Sequence, residues 1–317
     1  MAYKVGIVGA ARRYQGTGPF IARDLHALGH RICGIVGTSS NSIADAVHAL
    51  NDQYGIQTQG YESLNALIDQ QSIDIVVISS PPDTHLPYLQ QALAHGLHVF
   101  CEKPLWWPLD TGTDYLSYQQ QISALLELAE KQQSYIHINT QWPYTLRDFY
   151  RLHPSAPAKS STIEQFAMHL SPQSHGPQML VDAASHGLSM LYQLVGAGDI
   201  ADIVVSTSSP SDFKNMTVQF KYVHRQGTTR VTFGLTNTRE TPKPSSYQIN
   251  HLKADRRVAL PDYQIQLQSD RTTVDIMDPL TTSIRDFIAN IEAGLECDTS
   301  ALEMGSQHLY ALIDACR

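Results

Sequence analysis

The sequence predicts two domains: an α/β domain with a parallel sheet, then an α+β domain with an open, mainly antiparallel sheet. Up to about residue 138, short β-branched runs alternate with helical segments, as in parallel strands joined by right-handed crossovers. Beyond residue 139, apolar and polar residues alternate along strands that follow one another directly, as antiparallel strands do. We therefore expect domains at residues 1–139 and 140–317.

The first domain contains short strands that are rich in valine and isoleucine. They are predicted at Tyr3–Val8, Arg31–Val36, Ile73–Ile78, His98–Cys101 and Ser134–Ile138. The uninterrupted apolar run Ile75–Ile78 is expected of a strand that helices cover on both faces. The helices between them are predicted at Pro19–Leu28, Ser42–Leu50, Asp83–His95 and Asp114–Lys131.

The second domain begins with one long helix, predicted at Gln178–Leu194, ahead of the alternating strands. The proline-containing segment Glu240–Ser246 is predicted to be an exposed loop. Two further helices are predicted near Thr281–Ala293 and Ala301–Cys316.

Composition narrows the class of partner. The 317 residues carry a formal net charge of −8, which argues against binding to nucleic acid or to an anionic membrane. No apolar run reaches the roughly 18 residues of a membrane span, and we expect a cytoplasmic protein. The 4 cysteines form no Cys-x-x-Cys pair, so we predict reduced thiols and no metal site.

A glycine-containing loop follows the first strand, where Rossmann-type sheets bind the pyrophosphate of a dinucleotide. Gly9 ends the strand, whereas a G-x-G-x-x-G pattern would place its next glycines at Ala11 and Tyr14. A longer loop fits better, because Gly18-Pro19 puts proline in the first turn of the helix. The predicted cofactor contacts in this loop are Gly9, Ala10, Ala11, Arg12, Arg13, Gly16 and Gly18. The alternative is a solvated loop without a ligand.

The end of the second strand bears on the choice of dinucleotide. A carboxylate at this place binds the ribose hydroxyls of NAD and repels the 2′-phosphate of NADP. Thr38 and Ser39 stand there instead, with Arg12 and Arg13 expected nearby. These contacts favour NADP slightly over NAD.

Two stretches carry a resemblance to a known family. They are Ile78-Ser79-Ser80-Pro81-Pro82-Asp83-Thr84-His85 and Cys101-Glu102-Lys103-Pro104-Leu105. Together they resemble the signature of the Gfo/Idh/MocA oxidoreductases, which include glucose-fructose oxidoreductase and inositol dehydrogenase. The resemblance implies a dinucleotide-binding domain followed by an open-sheet substrate domain.

The resemblance also implies roles for single residues. Lys103 would act on the substrate, while Ser80, Pro81 and His85 would contact the cofactor. We place Glu102 and Lys103 in the cofactor site as well. Lys103 also follows a strand at the sheet edge where open α/β sheets bind ligands, although an ordinary solvated lysine is the alternative.

A second candidate site lies on the long helix of the second domain. Asp182-Ala183-Ala184-Ser185-His186 puts a carboxylate and an imidazole one turn apart on the same helix face. In the family that the sequence resembles, an Asp-x-x-x-His segment faces the nicotinamide, with histidine as general acid or base and aspartate assisting it. Asp182 and His186 match that segment, although a surface pair or a core histidine would have the same spacing.

The leading hypothesis is hydride transfer between NAD(P) and a secondary alcohol or carbonyl of a sugar, cyclitol or related small polar substrate. His186 would take the hydroxyl proton, Lys103 would hold the oxygen, and Asp182 would orient the imidazole or bind a neighbouring hydroxyl. One rival is an NAD-dependent glycosidase-type enzyme that keeps its cofactor bound. Another is a non-enzymatic NAD(P)-sensing regulator.

An uncovered sheet face in the second domain predicts a homo-oligomer, either dimer or tetramer.

Overall fold

The computed structural model describes residues 2–10, 16–108, 112–154, 163–208, 214–260 and 263–317, which form two compact units. Unit 1 comprises Met1–Asn139 and Leu280–Thr299, and unit 2 comprises Thr140–Pro279 and Ser300–Arg317. The chain passes from unit 1 to unit 2 after Asn139, and Leu280–Thr299 returns to unit 1.

Unit 1 contains a six-stranded parallel sheet in the order β3-β2-β1-β4-β5-β6. Its strands are β1 (Lys4–Val8), β2 (Arg31–Val36), β3 (Gln59–Tyr61), β4 (Ile75–Ile78), β5 (His98–Glu102) and β6 (Ile136–Asn139). The strand order reverses direction between β1 and β4. The carboxyl ends of these two strands therefore form the point at which doubly wound sheets bind ligands.

The helices of unit 1 differ in how they begin. They are α1 (Gly18–Ala27), α2 (Ser40–Tyr54), α3 (Leu64–Gln70), α4 (His85–Ala94), α5 (Tyr115–Gln132) and α8 (Pro279–Glu292), whose first residue is assigned to unit 2. The side chains of Ser39, Ser63 and Asp114 accept hydrogen bonds from the first turns of α2, α3 and α5. No described side chain caps α1 in this way.

Helix α8 packs into the core of unit 1, which explains why this segment returns to the first unit. One face of the helix is apolar at helical spacing and buried together with residues of β1, β4 and β5: Leu280, Ile284, Phe287, Ile288 and Ile291. His137 of β6 stacks on Phe100, and its Nε2 lies 2.8 Å from Oγ of Ser283 in α8. The amphipathic pattern identified the helix but not the sheet that it covers.

Unit 2 contains an eight-stranded sheet in the order β14-β13-β12-β11-β7-β10-β9-β8, in which only β7 and β10 pair in parallel among the described strands. The strands are β7 (Gln165–Leu170), β8 (Gly198–Thr207), β9 (Asn215–His224), β10 (Gly227–Thr236), β11 (Ser245–Ile249), β12 (Leu252–Ala259), β13 (Gln264–Gln268) and β14 (Thr273–Ile276). The helices are α6 (Leu146–Leu152), α7 (Gln178–Val195) and α9 (Thr299–Asp314), of which α9 begins at the last residue of unit 1. The predicted fold class is confirmed.

The direction of three neighbouring strands places two loops side by side. Strand β7 is parallel to β10 and antiparallel to β11. The carboxyl ends of β7 and β10 and the amino end of β11 therefore lie at one edge of the sheet. The connection from β7 to α7 and the connection from β10 to β11 both leave from this edge.

None of the described helices combines the length and the apolar character needed to cross a membrane.

Candidate active site

Two glycines allow the ends of β1 and β4 and the start of α1 to pack so closely that a Cβ atom would not fit between them. Gly9 has φ +87°, and a Cβ on it would lie 2.7 Å from the amide nitrogen of Ser80. A Cβ on Gly18 would lie 2.7 Å from Oγ of Ser79 and 2.9 Å from Cα of Ala10. Gly18 is therefore needed for close packing, which adds a structural role to the phosphate contact expected from the sequence.

The first turn of α1 fits a phosphate group. Thr17 precedes the helix, but its Oγ1 donates a hydrogen bond to Oε1 of Glu102 at 2.6 Å and does not cap the turn. The first turn contains no acidic residue. The positive end of the helix dipole therefore favours an anion there. Pro19 stands at the start of the helix, as predicted.

Part of the predicted phosphate loop lies outside the described residues. It includes Ala11, Arg12 and Arg13. Gly16 is described and is partly exposed just ahead of α1. The contribution of the two arginines to a diphosphate therefore stays a prediction.

A carboxylate lies near the end of β2, although the residues that directly follow β2 in the sequence include none. Ser39 caps α2, because its Oγ accepts a hydrogen bond from the amide of Ser42 at 3.3 Å. Ser40 donates from Oγ to Oε1 of Glu62 at 3.1 Å. Glu62 follows β3, a three-residue strand that the sequence pattern did not reveal. A negative charge at this place disfavours a 2′-phosphate.

Glu102 connects three elements of unit 1 beneath Lys103. The carboxyl group is 9% exposed, and its Oε1 accepts hydrogen bonds from Thr17 and from Nδ2 of Asn139, both at 2.6 Å. These contacts join the end of β5 to β6 and to the start of α1. Lys103 follows directly and is half-buried. The Lys103–Pro104 peptide bond is cis.

His85 holds the same turn from the side of β4. It is fully buried, with Nε2 2.9 Å from the carbonyl oxygen of Ser80 and Nδ1 2.9 Å from that of Pro104. Burial lowers the pKa of His85. Both ring nitrogens thus face the main chain, whereas the resemblance had implied a contact with the cofactor. Ser80 is buried at the end of β4 and Pro81 is exposed beside it.

In unit 2 a main-chain carbonyl fixes the imidazole of His186. Its Nδ1 lies 2.6 Å from the carbonyl oxygen of Thr140. Because a carbonyl oxygen only accepts, Nδ1 carries the hydrogen, and Nε2 of the neutral ring carries the lone pair. This is the tautomer that a general base needs when it works through Nε2.

The accepting carbonyl belongs to a strained turn. The amide of Trp142 donates to the same Thr140 oxygen at 2.7 Å, and the intervening Gln141 has φ 60° and ψ −47°. These angles are typical of a γ-turn with a positive central φ, a rare conformation that costs about 1–3 kcal/mol. Trp142 packs edge-on against Tyr247, with ring centroids 5.8 Å apart. Buried packing therefore holds the turn beside His186.

Asp182 lies one turn before His186 and contacts the loop that precedes α7. Its Oδ2 accepts a hydrogen bond from the amide of Ser174 at 3.3 Å. The Asp182 carboxylate acts to raise the pKa of Lys243, which lies in the loop between β10 and β11. Sequence reasoning missed Lys243, because a lysine in a proline-containing loop has no pattern that distinguishes it from a solvated one.

Comparison with known proteins finds a match to a family model in the first part of the chain. Residues 3–140 match the family model described as "Oxidoreductase family, NAD-binding Rossmann fold" (GFO_IDH_MocA). Inositol 2-dehydrogenase of Salmonella typhimurium is 29% identical over 106 residues, which cover 33% of this chain and 30% of that protein. Glycosyl hydrolase family 109 protein 2 of Shewanella sp. strain ANA-3 is 31% identical over 106 residues, covering 32% of this chain and 23% of that protein.

A solved structure extends the likeness in fold to the whole chain. The crystal structure of scyllo-inositol dehydrogenase from Lactobacillus casei, with bound NAD(H) and scyllo-inositol, aligns with a TM-score of 0.70. The alignment covers 99% of this chain and 97% of that chain at 14% identity, which establishes a shared fold. The slight preference for NADP finds no support in these likenesses. The resemblance that the sequence predicts is confirmed by the match of residues 3–140 to the Gfo/Idh/MocA family model.

Proposed function

We propose that this protein is an NAD-dependent oxidoreductase that interconverts a secondary alcohol and a ketone on a neutral sugar or cyclitol. The observation that carries the proposal is the hydrogen bond from Nδ1 of His186 to the Thr140 carbonyl, because it leaves Nε2 as a proton acceptor. The names of the inositol dehydrogenase relatives support the choice of substrate class.

The described residues of unit 1 fit a dinucleotide. The uncapped first turn of α1 would hold the diphosphate, together with Gly9, Ala10 and Gly16. Ala11, Arg12 and Arg13 are part of the same proposal, as are Thr38 and Ser39 at the adenosine end. Ser80 and Pro81 would border the nicotinamide end, with His85 holding their main chain in place. The nicotinamide, when bound, supplies the acceptor or donor of hydride.

We assign NAD as the preferred dinucleotide because of Glu62. Its carboxylate hydrogen-bonds Ser40, the first residue of α2, where the 2′-phosphate of NADP would meet a negative charge. Fluorescence titration should give tighter binding of NADH than of NADPH. Glu62→Gln should narrow that difference, and tighter binding of NADPH by the unaltered protein would contradict the assignment.

Each catalytic side chain of this chain has one role in the proposal. His186 accepts the hydroxyl proton at Nε2 when the alcohol is oxidised and returns it in the reverse direction. Lys103 donates a hydrogen bond to the substrate. Asp182 binds a neighbouring hydroxyl, since the Thr140 carbonyl already orients the imidazole.

The test is a substrate screen with NAD as the oxidant. Purified protein is incubated with myo-inositol, scyllo-inositol, D-glucose and D-xylose, and NADH formation is followed by absorbance. We expect saturable turnover with at least one of them, abolished in the Lys103→Met, His186→Ala double variant. Tight NADH binding without turnover on any neutral polyol would overturn the proposed reaction and would favour a cofactor-sensing regulator.

A second candidate function is glycoside cleavage by transient oxidation. It is favoured by the 31% identity to the glycosyl hydrolase family 109 protein over 106 residues. The two functions differ in their redox balance. Release of nitrophenol from nitrophenyl glycosides, with no net change in NADH absorbance, would favour the glycosidase.

We also propose that the protein forms a homo-oligomer through the polar face of the eight-stranded sheet. This face carries a groove of about 390 Å³ and side chains of both charges, among them Asp202, Lys221 and Arg230. A surface with both signs of charge can pair with a second copy of itself about a two-fold axis. Light scattering should give a dimer or tetramer, and a monomer at micromolar concentration would contradict this.

A further inference from the structure

Lys243 is fastened to the loop that leads into α7. Its Nζ donates a hydrogen bond to the carbonyl oxygen of Ser171 at 2.9 Å. In return, Oγ of Ser171 donates to the carbonyl oxygen of Pro244 at 2.8 Å. The connection from β10 to β11 and the connection from β7 to α7 are therefore tied together in both directions, and the ammonium group has a defined position.

The same cluster continues to Asp182. Nδ2 of Asn237 lies 2.5 Å from the carbonyl oxygen of Gln173 and 3.2 Å from that of Ser174. The amide of Ser174 then donates to Oδ2 of Asp182 at 3.3 Å. Lys243 and Asp182 thus both hydrogen-bond the segment from Ser171 to Ser174, and Asp182 lies on the face of α7 that also presents His186.

The charges of this cluster suit a hydroxyl group. Among the described residues, the Ser171 carbonyl is the acceptor that hydrogen-bonds the Lys243 ammonium, which has three N–H groups to donate. Burial lowers the pKa of Lys243, and the nearby Asp182 carboxylate raises it. A site that contains an ammonium and a carboxylate has little net charge, and hydroxyl groups can accept from the first and donate to the second. A substrate carboxylate would be repelled by Asp182.

We propose that Lys243 and Asp182 form a subsite that binds a hydroxyl group of a neutral polyol, next to the hydroxyl that His186 deprotonates. The inference rests on the proposed function, which it deepens by naming a specificity-determining residue. Asp182 and His186 are separated by four residues of helix, about 6 Å along the axis. Neighbouring hydroxyls of one ring can therefore reach both side chains.

The experiment measures polyol binding and turnover separately. Calorimetric titration of the complex with NADH gives an affinity that does not depend on reaction, and NAD reduction gives kcat and KM. Lys243→Met keeps the apolar stem and removes the ammonium. We expect a dissociation constant and a KM raised about ten- to hundredfold, because one charged hydrogen bond is lost, with kcat changed much less.

Two control variants separate binding from loop structure. Ser171→Ala removes the hydrogen bond to Pro244 but keeps the ammonium, so it measures the contribution of the loop, and polyol affinity should fall much less than in Lys243→Met. Lys253→Met removes an exposed lysine of β12 that pairs with Asp255, and it should have no effect. If Ser171→Ala weakens binding as much as Lys243→Met, then Lys243 only fastens the loop and the proposal is wrong.

The outcomes also distinguish this inference from the proposed function. Polyol binding that depends on Lys243 without any turnover would overturn the function and support the subsite. Turnover that is equal in Lys243→Met and unaltered protein would support the function and overturn the subsite. Tighter binding of D-glucuronate than of D-glucose, lost in Lys243→Met, would assign the ammonium to a carboxylate and contradict a neutral ligand. If none of the polyols binds, both fail.

Discussion

The turn that carries Lys103 and the helix that carries His186 hold their reactive groups by different means. In unit 1, the buried side chains of His85 and Glu102 fasten the turn to its neighbours. In unit 2, one main-chain carbonyl orients the imidazole. The first arrangement depends on which side chains are present, whereas the second depends on the path of the backbone. Substitutions should therefore affect the two segments in different ways.

The largest expected effects come from the reactive groups themselves. His186→Ala removes the proton acceptor and should lower kcat/KM about 10²- to 10⁴-fold. Lys103→Met removes a donor to the developing oxyanion and should lower it about 10²- to 10³-fold. NADH affinity, followed by fluorescence, should stay the same for His186→Ala. Turnover within threefold of the unaltered protein in either variant would remove that residue from the proposed chemistry.

The next effect concerns the side chains that hold the Lys103 turn. His85→Leu removes the imidazole nitrogens that lie within hydrogen-bond distance of the Ser80 and Pro104 carbonyl oxygens. This loss should lower the free energy of unfolding by about 2–4 kcal/mol. His95→Leu is the matched control, because His95 is exposed and, among the described residues, its ring hydrogen-bonds the Gln91 carbonyl of the same helix. Chemical denaturation measures both. Equal stability of the two variants would mean that His85 does not hold the turn.

Substitution of one glycine in each unit would compare how tightly the backbone is packed there. Gly9 and Gly196 both have positive φ, but a Cβ on Gly196 meets no atom within 4 Å. Gly196→Ala should therefore cost about 1–3 kcal/mol from conformation alone, because φ 81° and ψ −162° lie in a region that is essentially restricted to glycine. Gly9→Ala adds a clash with the main chain of Ser79 and Ser80, which should cost about 1–3 kcal/mol beyond the conformational cost. If thermal unfolding shows no difference, the ends of β1 and β4 are less tightly packed than described.

A pH dependence of similar size is expected in unit 1. Burial lowers the pKa of His137 from 6.5 to about 4. The unfolded chain therefore binds this proton more readily, and the associated stability is lost as pH falls from about 6.5 to about 4. The loss between pH 7.5 and 4.5 should be about 2–3 kcal/mol. Urea unfolding at pH 7.5 and 4.5 should show a smaller decrease in His137→Gln than in unaltered protein, and an equal decrease would contradict the lowered pKa.

Most of the fold followed from local patterns, because buried parallel strands and alternating strands have recognisable periodicities. Strand β3 was missed, since Gln59–Tyr61 has three residues at a sheet edge and only Tyr61 is buried. The placement of α8 was missed for another reason: an apolar helix face shows that a helix is covered, but not by which sheet.

The candidate site was predictable where its chemistry lies in one continuous segment. Lys103 and the Asp182–His186 pair could be named from motif and helical spacing. The partners of these residues could not, because they come from distant parts of the chain. Glu62 and Lys243 approach their neighbours only through the pairing of β2 with β3 and of β7 with β11. Thr140 acts through its carbonyl oxygen, a group that every residue has and no sequence pattern reveals.

The use of a main-chain oxygen at Thr140 has a consequence for mutational scanning. Replacing the Thr140 side chain leaves the carbonyl in place, so a complete scan of that position would record it as tolerant. Sensitivity should appear instead at Gln141, where glycine relieves the unfavourable φ and proline, whose ring fixes φ near −65°, cannot adopt it. A position that looks dispensable in such a data set can therefore still determine which nitrogen of a histidine carries the proton.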